Sequence, residues 1–333
     1  MKKKCFLPLA ESKMTSYLFH AFPDAIIRGN VGDDGMPPIA CRRNINCFYQ
    51  KQARAHKFMI SVSDNWSADL KVLQYQTLNL YQSTYDVLNR NMALTIKRFV
   101  ESGCYIYGQC NRRCVDAAVG KDSPALVFLL YGYDDTCRRF FLLGYDLQNR
   151  CRSYEVGYTE LVSALFDLPR EMIQLIFWRF NADLKIPLDL PGIINELADY
   201  LASCNSRPEY TGGKEFGLAA IRALRDYFKS RVQQDLLFEE QYLRAFGEHK
   251  YAMAVRIKYF AEQGIVSTEL IPIADKLKQI GENVFQWGTQ YNQTLEDSLA
   301  DKLIEQIEES MRIEQACLPR VLVALRTYQE ENV

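Results

Sequence analysis

The chain has 333 residues, 48% of them hydrophobic and 24% charged, with 40 Lys+Arg against 41 Asp+Glu. This composition excludes a disordered chain, and the low counts of 17 Gly and 11 Pro exclude a collagen-like or low-complexity one. No apolar run reaches the ~20 residues of a membrane span, and the length calls for two packed units.

The balanced charge hides an asymmetry. Up to Ile186 there are 24 Lys+Arg and 18 Asp+Glu; beyond it there are 16 and 23. The basic surplus is far from the dense stripe of a nucleic-acid binder, so no nucleic-acid partner is expected. Cysteines stand at 5, 41, 47, 104, 110, 114, 137, 151, 204 and 317. Met1 to Lys4 are followed by only a few apolar residues before Glu11 and Lys13. That is not a secretory signal, so reduced thiols and a cytosolic location are expected. Cys110 and Cys114 form CxxxC rather than CxxC, and no second pair stands at zinc-finger spacing. Neither a metal nor another cofactor is expected.

In chain order, residues 16–28 read as a helix that Pro23 would bend or interrupt. Residues 29–38 read as a Gly/Asp/Pro loop. Strand-like runs come after it at 44–50 and 57–62. Residues 82–102 form a long helix with Leu88, Met92, Ile96, Phe99 and Val100 near one face, ended by Gly103. Short β-rich runs come next at 104–108, 125–131, 138–144 and 152–157, with a hairpin signal at Asp134-Asp135. Thr159 can cap a short helix through Phe166, and 172–180 is the most hydrophobic strand candidate. From Pro191 the pattern is helical: a first helix, a break at 206–213, then blocks at 215–229, 233–263, 272–291 and 295–329. The domain boundary is therefore placed near 187, giving units 1–187 and 188–333.

Several segments together carry a resemblance. In the front half they are Ser16-Tyr17-Leu18-Phe19-His20-Ala21-Phe22, the run from Ala125 through Tyr131-Gly132-Tyr133-Asp134-Asp135, and the run from Arg138 through Gly144-Tyr145-Asp146. In the back half they are Tyr242 through Lys250 and Met253 through Ile257. The pattern resembles the butirosin biosynthesis protein H N-terminal family, whose fold is papain-like and which accompanies nonribosomal peptide and aminoglycoside pathways. The resemblance implies an α+β fold: a papain-like lobe, with its N-terminal helix packed on an antiparallel sheet, and an appended C-terminal helical bundle. It also implies a cysteine nucleophile opening the first helix, a histidine base on the strand before Tyr-Gly-Tyr-Asp, and an orienting carboxylate or amide two strands later. The sequence departs from this pattern. The first helix has no Cys, the strand before Tyr131 has no His, and only Asp146 survives near the orienting position.

Three histidines exist, so a Cys–His pair must use His20, His56 or His249. His20 is the candidate base of a rearranged site, with Cys41, Cys47 or Cys110 as the thiol and Asp146 as the orienting group. His56 lies in a polar stretch expected to be exposed, and His249 is expected to bridge the helical lobe to the front lobe. Tyr107, Tyr131, Tyr133 and Asp134 are candidates to line a groove for an acyl or peptidyl chain. The pairs Arg42-Arg43, Arg112-Arg113 and Arg138-Arg139 each adjoin a cysteine and are candidates to dock an acyl or peptidyl carrier protein. No phosphate loop, GxGxxG, HExxH or GxSxG motif occurs. The expected function is an accessory protein of peptide or acyl natural-product biosynthesis that binds an acyl or peptidyl intermediate at a degenerate papain-like site. The alternatives are a cysteine-dependent acyltransferase, amide-forming enzyme or hydrolase with a relocated pair, and a protein-interaction scaffold.

Overall fold

In a computed structural model, the structure describes residues 3–51, 56–60, 71–79, 82–116, 125–168, 174–183, 188–206 and 213–332. The elements, in chain order, begin with β1 (Lys4–Phe6), α1 (Leu18–Val31), α2 (Pro37–Ala40), β2 (Phe48–Lys51), β3 (His56–Met59), β4 (Leu73–Asn79) and α3 (Gln82–Glu101). Then come β5 (Cys104–Cys110), β6 (Leu126–Asp134), β7 (Arg139–Tyr145), β8 (Cys151–Gly157), α4 (Tyr158–Phe166) and β9 (Gln174–Phe180). The remainder is α5 (Leu190–Ala202), β10 (Lys214–Phe216), α6 (Gly217–Val232), α7 (Glu240–Glu262), α8 (Ile271–Thr294) and α9 (Asp297–Asn332). The expected strand residues 61–62 and 172–173, and most of the expected break at 206–213, lie outside the described residues. Among the described residues, no helix is long and apolar enough to cross a membrane.

Residues 1–32 and 65–185 form a sheet unit, and residues 33–64 and 186–333 form a helical unit. The boundary read near 187 assigns 33–64 to the front half, whereas the contacts group that segment with the helices. The physical reason lies in buried polar side chains of α7. Arg256 donates through Nη2 to the Arg43 carbonyl at 2.7 Å and through Nε to the Cys41 carbonyl at 3.3 Å. His249 Nε2, seven residues earlier on the same helix face, bonds the Ile45 carbonyl at 3.1 Å. A buried guanidinium and imidazole require acceptors, and the backbone of 41–45 supplies them.

Among the described residues, the sheet unit holds seven antiparallel strands in the order β4-β9-β5-β6-β7-β8, with β1 paired to the end of β6. One face packs Ile106, Phe128, Leu130, Phe140, Leu142 and Val156 against Met92, Ile96 and Val100 of α3 and against Leu161 and Leu165 of α4. On the opposite side lies α1, where Phe22 meets Tyr107 and Tyr145 with ring centroids 6.1 and 6.5 Å apart. Nine consecutive residues of α1, His20 through Arg28, are buried. The helix runs through Pro23 rather than breaking there. Burial on all sides offsets the one backbone bond that proline removes. Its buried Asp24 accepts from Arg28 Nε, Ser12 Oγ and the Lys13 amide, each at 2.9 Å.

The helical unit carries a three-stranded antiparallel sheet, β10-β2-β3, and the helices α5 to α9. The helices α7 and α8 approach closely where Gly247 faces Gly281; a Cβ on Gly247 would lie 3.1 Å from the Gly281 carbonyl oxygen. At Gly217, which joins β10 to α6, φ is +54° and a Cβ would fall 2.0 Å from the Tyr200 carbonyl oxygen, so only glycine fits. Its amide bonds the Cys47 carbonyl at 2.9 Å. Deep inside, Lys250 Nζ meets both oxygens of Glu314, at 2.8 and 2.7 Å, and Tyr200 donates to Glu314 at 2.8 Å. All three side chains are buried.

Candidate functional site

The residues singled out in the front half are dispersed or sealed. His20 is fully buried on α1, beside the Phe19 ring at 4.6 Å. Asp146 comes directly after β7 and binds its own turn. Burial raises its pKa, but hydrogen bonds from the Arg150 amide, the Arg150 guanidinium and the Gln148 amide outweigh that and hold it low. Cys110, at the end of β5, is fully buried, and the Cys114 sulfur and burial push its pKa up. Cys47 belongs to the helical unit. It is buried against the Gly217 carbonyl, and burial pushes its thiol up to about 12. Among the described residues, no cysteine sulfur is hydrogen-bonded to a histidine.

The tyrosines do not share one groove. Strand alternation alone puts Tyr131 and Tyr133 on the same side of β6. However, a bulge between Leu130 and Gly132 inserts one residue and turns Tyr133 over. Tyr133 packs into the core with Phe140 and donates to Glu101 at 2.6 Å. Tyr131 stays half-buried near Phe141, with ring centroids 6.5 Å apart. Tyr107 stacks on Trp178 at 5.2 Å, on the side of β5 that meets α1. Asp134 caps the β6–β7 turn through the Thr136 amide.

The arginine pairs also part. Arg112 is buried and donates to the Tyr145 carbonyl at 2.7 Å, beyond the C-terminal end of β5. Arg113 beside it is exposed. Exposed Arg138 and Arg139 sit at the β6–β7 hairpin, which antiparallel pairing puts at the opposite end of that sheet. Arg42 and Arg43 belong to the helical unit, where Arg42 pairs with Asp189 at 3.2 Å and Arg43 is buried. His249 bonds Ile45, a residue of the expected front lobe that the contacts group with the helices.

An open cleft of about 620 Å³ lies elsewhere in the helical unit, between the small sheet and α6. Register builds its floor. Lys51 pairs with His56 and Tyr49 with Glu215, and Tyr49 and Lys51 are two apart, so all four side chains share one face. Helix spacing builds the wall. Arg222, Asp226 and Ser230 form one row four residues apart, with Ala223, Tyr227 and Arg231 as the adjacent row, and Gln234, just past the helix end, donates to Ser230 at 2.9 Å. Three aromatic rings converge. His56 lies 4.7 Å from Tyr227 and 5.8 Å from Tyr49, centroid to centroid. The Tyr49 hydroxyl and His56 Nδ1 are hydrogen-bonded, Tyr242 donates to the His56 carbonyl, and Tyr227 donates to Glu239.

These contacts set the protonation states. Burial lowers the pKa of His56, and the nearby Lys51 and Arg231 charges lower it further. The imidazole is therefore neutral at pH 7. Burial raises Glu239 and, with the neighbouring Tyr242, Glu215 and Glu239, raises Tyr49. Tyr242 is pushed up to about 12 by burial and by Glu239. Around this neutral centre stand three cations, Lys51, Arg222 and Arg231, and three carboxylates, Glu215, Asp226 and Glu239. Asp226 pairs with Arg225 at 2.6 Å, and Arg231 reaches Glu239 at 3.8 Å. Among the described residues, Lys51, Arg222 and Glu215 enter no ion pair. The cleft thus presents two cations and one anion to an incoming molecule, over an aromatic floor.

Periodicity and motif spacing miss this cleft because its parts are about 170 residues apart in the chain. The signals are local and weak: a Tyr-x-Lys alternation on β2, and Arg222, Asp226 and Ser230 at helical spacing. Among the described residues, no group of three or more His, Cys, Asp or Glu is placed to hold a metal ion. No protein-family model and no curated protein matches the chain.

Proposed function

We propose that this protein binds an acyl or peptidyl intermediate as an accessory factor of peptide or related natural-product biosynthesis, and that its front half is a papain-like lobe without a working thiol. The observation that carries the reading is the cleft. Lys51 and Arg222 suit the carboxylate of a short peptide or the phosphate of a carrier-borne arm, Glu215 suits an ammonium, and Tyr49 and Tyr227 suit the chain between them. A neutral His56 bonded to a tyrosine whose pKa is raised supplies hydrogen bonds rather than a nucleophile. The lobe assignment is supported by a central buried helix set against an antiparallel sheet, and the non-catalytic assignment by thiols that, among the described residues, make no hydrogen bond to an imidazole. The carrier protein as partner and the cytosol as compartment belong to the same proposal.

Calorimetric titration of the full chain with tri-alanine, free and doubly capped by acetyl and amide groups, tests this reading. Saturable binding of the free peptide, weakened at least about tenfold (~1.4 kcal/mol) by capping, is expected. Equal binding of both forms, or none of the free form at millimolar concentration, would remove the cleft from the proposal.

A further inference from the structure

The C-terminal end of β5 and the turn after it place two thiols together. Cys110 ends the strand, and the chain then folds back in a 3₁₀ turn, Arg112–Cys114. Asn111 fixes that turn: its side chain accepts from the Arg113 amide at 3.0 Å, its carbonyl accepts from the Cys114 amide at 3.3 Å, and its own amide bonds the Ala164 carbonyl at 2.8 Å. Arg112, anchored at 2.7 Å to the Tyr145 carbonyl, keeps a guanidinium beside the pair. The Cys110 and Cys114 sulfurs stand 3.5 Å apart.

We propose that Cys110 and Cys114 form a reversible dithiol–disulfide site that takes its oxidising equivalents from a peroxide. The two thiols have different exposures, as the two steps need. Cys110 is fully buried and Cys114 half-buried, so Cys114 meets the oxidant and Cys110 resolves it. The hydrogen bond between the two sulfurs lowers the pKa of the Cys114 thiol against burial and the neighbouring Glu160 charge, and Arg112 acts in the same direction as that bond. Burial, by contrast, pushes Cys41, Cys47 and Cys317 up to about 12.

In the first step the Cys114 thiolate attacks one peroxide oxygen, the O–O bond breaks, and the departing hydroxide takes up a proton to leave as water. In the second step the Cys110 sulfur attacks the Cys114 sulfenic acid. The S–S bond forms, the S–O bond breaks, and the hydroxyl leaves as a second water with the Cys110 proton. Two sulfurs each lose one electron and the two peroxide oxygens gain them; an added dithiol reverses the change. The sulfurs must close from 3.5 Å to the ~2.05 Å of a disulfide, a movement that side-chain rotation can provide.

The test is one equivalent of hydrogen peroxide on the reduced full chain, followed by alkylation and tryptic mapping. Trypsin cuts at Arg112 and Arg113, between the two cysteines, so an internal link appears as two joined peptides. The expected result is a Cys110–Cys114 link, two hydrogens lighter than the separate thiols and released by dithiothreitol. Cys110→Ser should leave a sulfenic acid on Cys114 that dimedone traps, and Cys114→Ser should consume peroxide about tenfold more slowly. Melting temperatures of both serine variants near that of the parent keep these readings interpretable. Full alkylation of both cysteines after peroxide, or a link from either to a third cysteine or a second chain, would overturn the proposal.

Discussion

In the sheet unit, the histidine nearest the expected site is sealed into a helix with nine consecutive buried residues. In the helical unit, an imidazole between two tyrosines opens onto a cleft. His20 has no exposed surface, and nine successive residues of its helix are interior. His56 stands at the sheet edge, where β2, β3 and α6 leave about 620 Å³ uncovered. Each unit contains buried charge, but handles it differently. Asp24 is matched locally, by a residue one helical turn away and a nearby loop. Glu314 is matched by Lys250 and Tyr200, 64 and 114 residues distant. A polar residue thus marks function only where the elements around it leave a space, and marks architecture where they close on it.

The largest expected effect separates the two kinds of buried charge. Glu314→Ala strands Lys250 without a counter-charge and should cost about 3–5 kcal/mol in urea unfolding, while the double change Lys250→Met with Glu314→Leu should cost less than either single one. Equal losses for the single and double variants would mean that packing, not charge, dominates there. In the sheet unit, Leu142→Ala removes a fully buried apolar side chain from the core and should cost about 2–5 kcal/mol. A loss under about 1 kcal/mol in the same unfolding experiment would show that the core rearranges around the gap.

The pH dependence comes next. Burial and the neighbouring Lys250 charge hold the pKa of His249 well below its ordinary value. The unfolded chain then takes up a proton near pH 6.5 that the folded chain refuses. The stabilisation is therefore complete above that pH and is lost as pH falls below it, with a slope approaching about 1.4 kcal/mol per pH unit. His249→Gln keeps a donor for the Ile45 carbonyl and should flatten that slope between pH 6.5 and 5. An unchanged slope would assign it to other groups. The smallest effect concerns binding alone. Arg222→Glu should weaken tri-alanine binding about tenfold, or ~1.4 kcal/mol, with an unfolding midpoint close to the parent's. Unaltered affinity would remove Arg222 from the cleft's recognition of anions.

Legibility in the sequence depends on the range of the interaction. The strands from Cys104 to Gly157 and the helix from Gln82 obey local alternation and spacing, and their expected limits agree with the structure to within a few residues. The expected block 233–263 begins late, at Glu240, because α6 runs on to Val232 and a loop intervenes. Tyr133 falls outside its expected groove because a single inserted residue in β6 reverses its face, and nothing in Leu-Tyr-Gly-Tyr announces a bulge. The grouping of residues 33–64 with the helices depends on Arg256 and His249 finding carbonyls more than 200 residues away. The cleft likewise depends on β2 and β3 meeting α6. Both are facts of packing that periodicity does not encode.

On the proposed function, His56 takes part in recognition and the other two imidazoles serve the fold. With three histidines in the chain, long-range proton–nitrogen correlation spectra are expected to show one set of ring signals for each. As tri-alanine is titrated in, the account predicts saturable shifts of the His56 ring nitrogens with His20 and His249 unmoved. A shift confined to His20, or no shift at His56 when the peptide is bound, would contradict it.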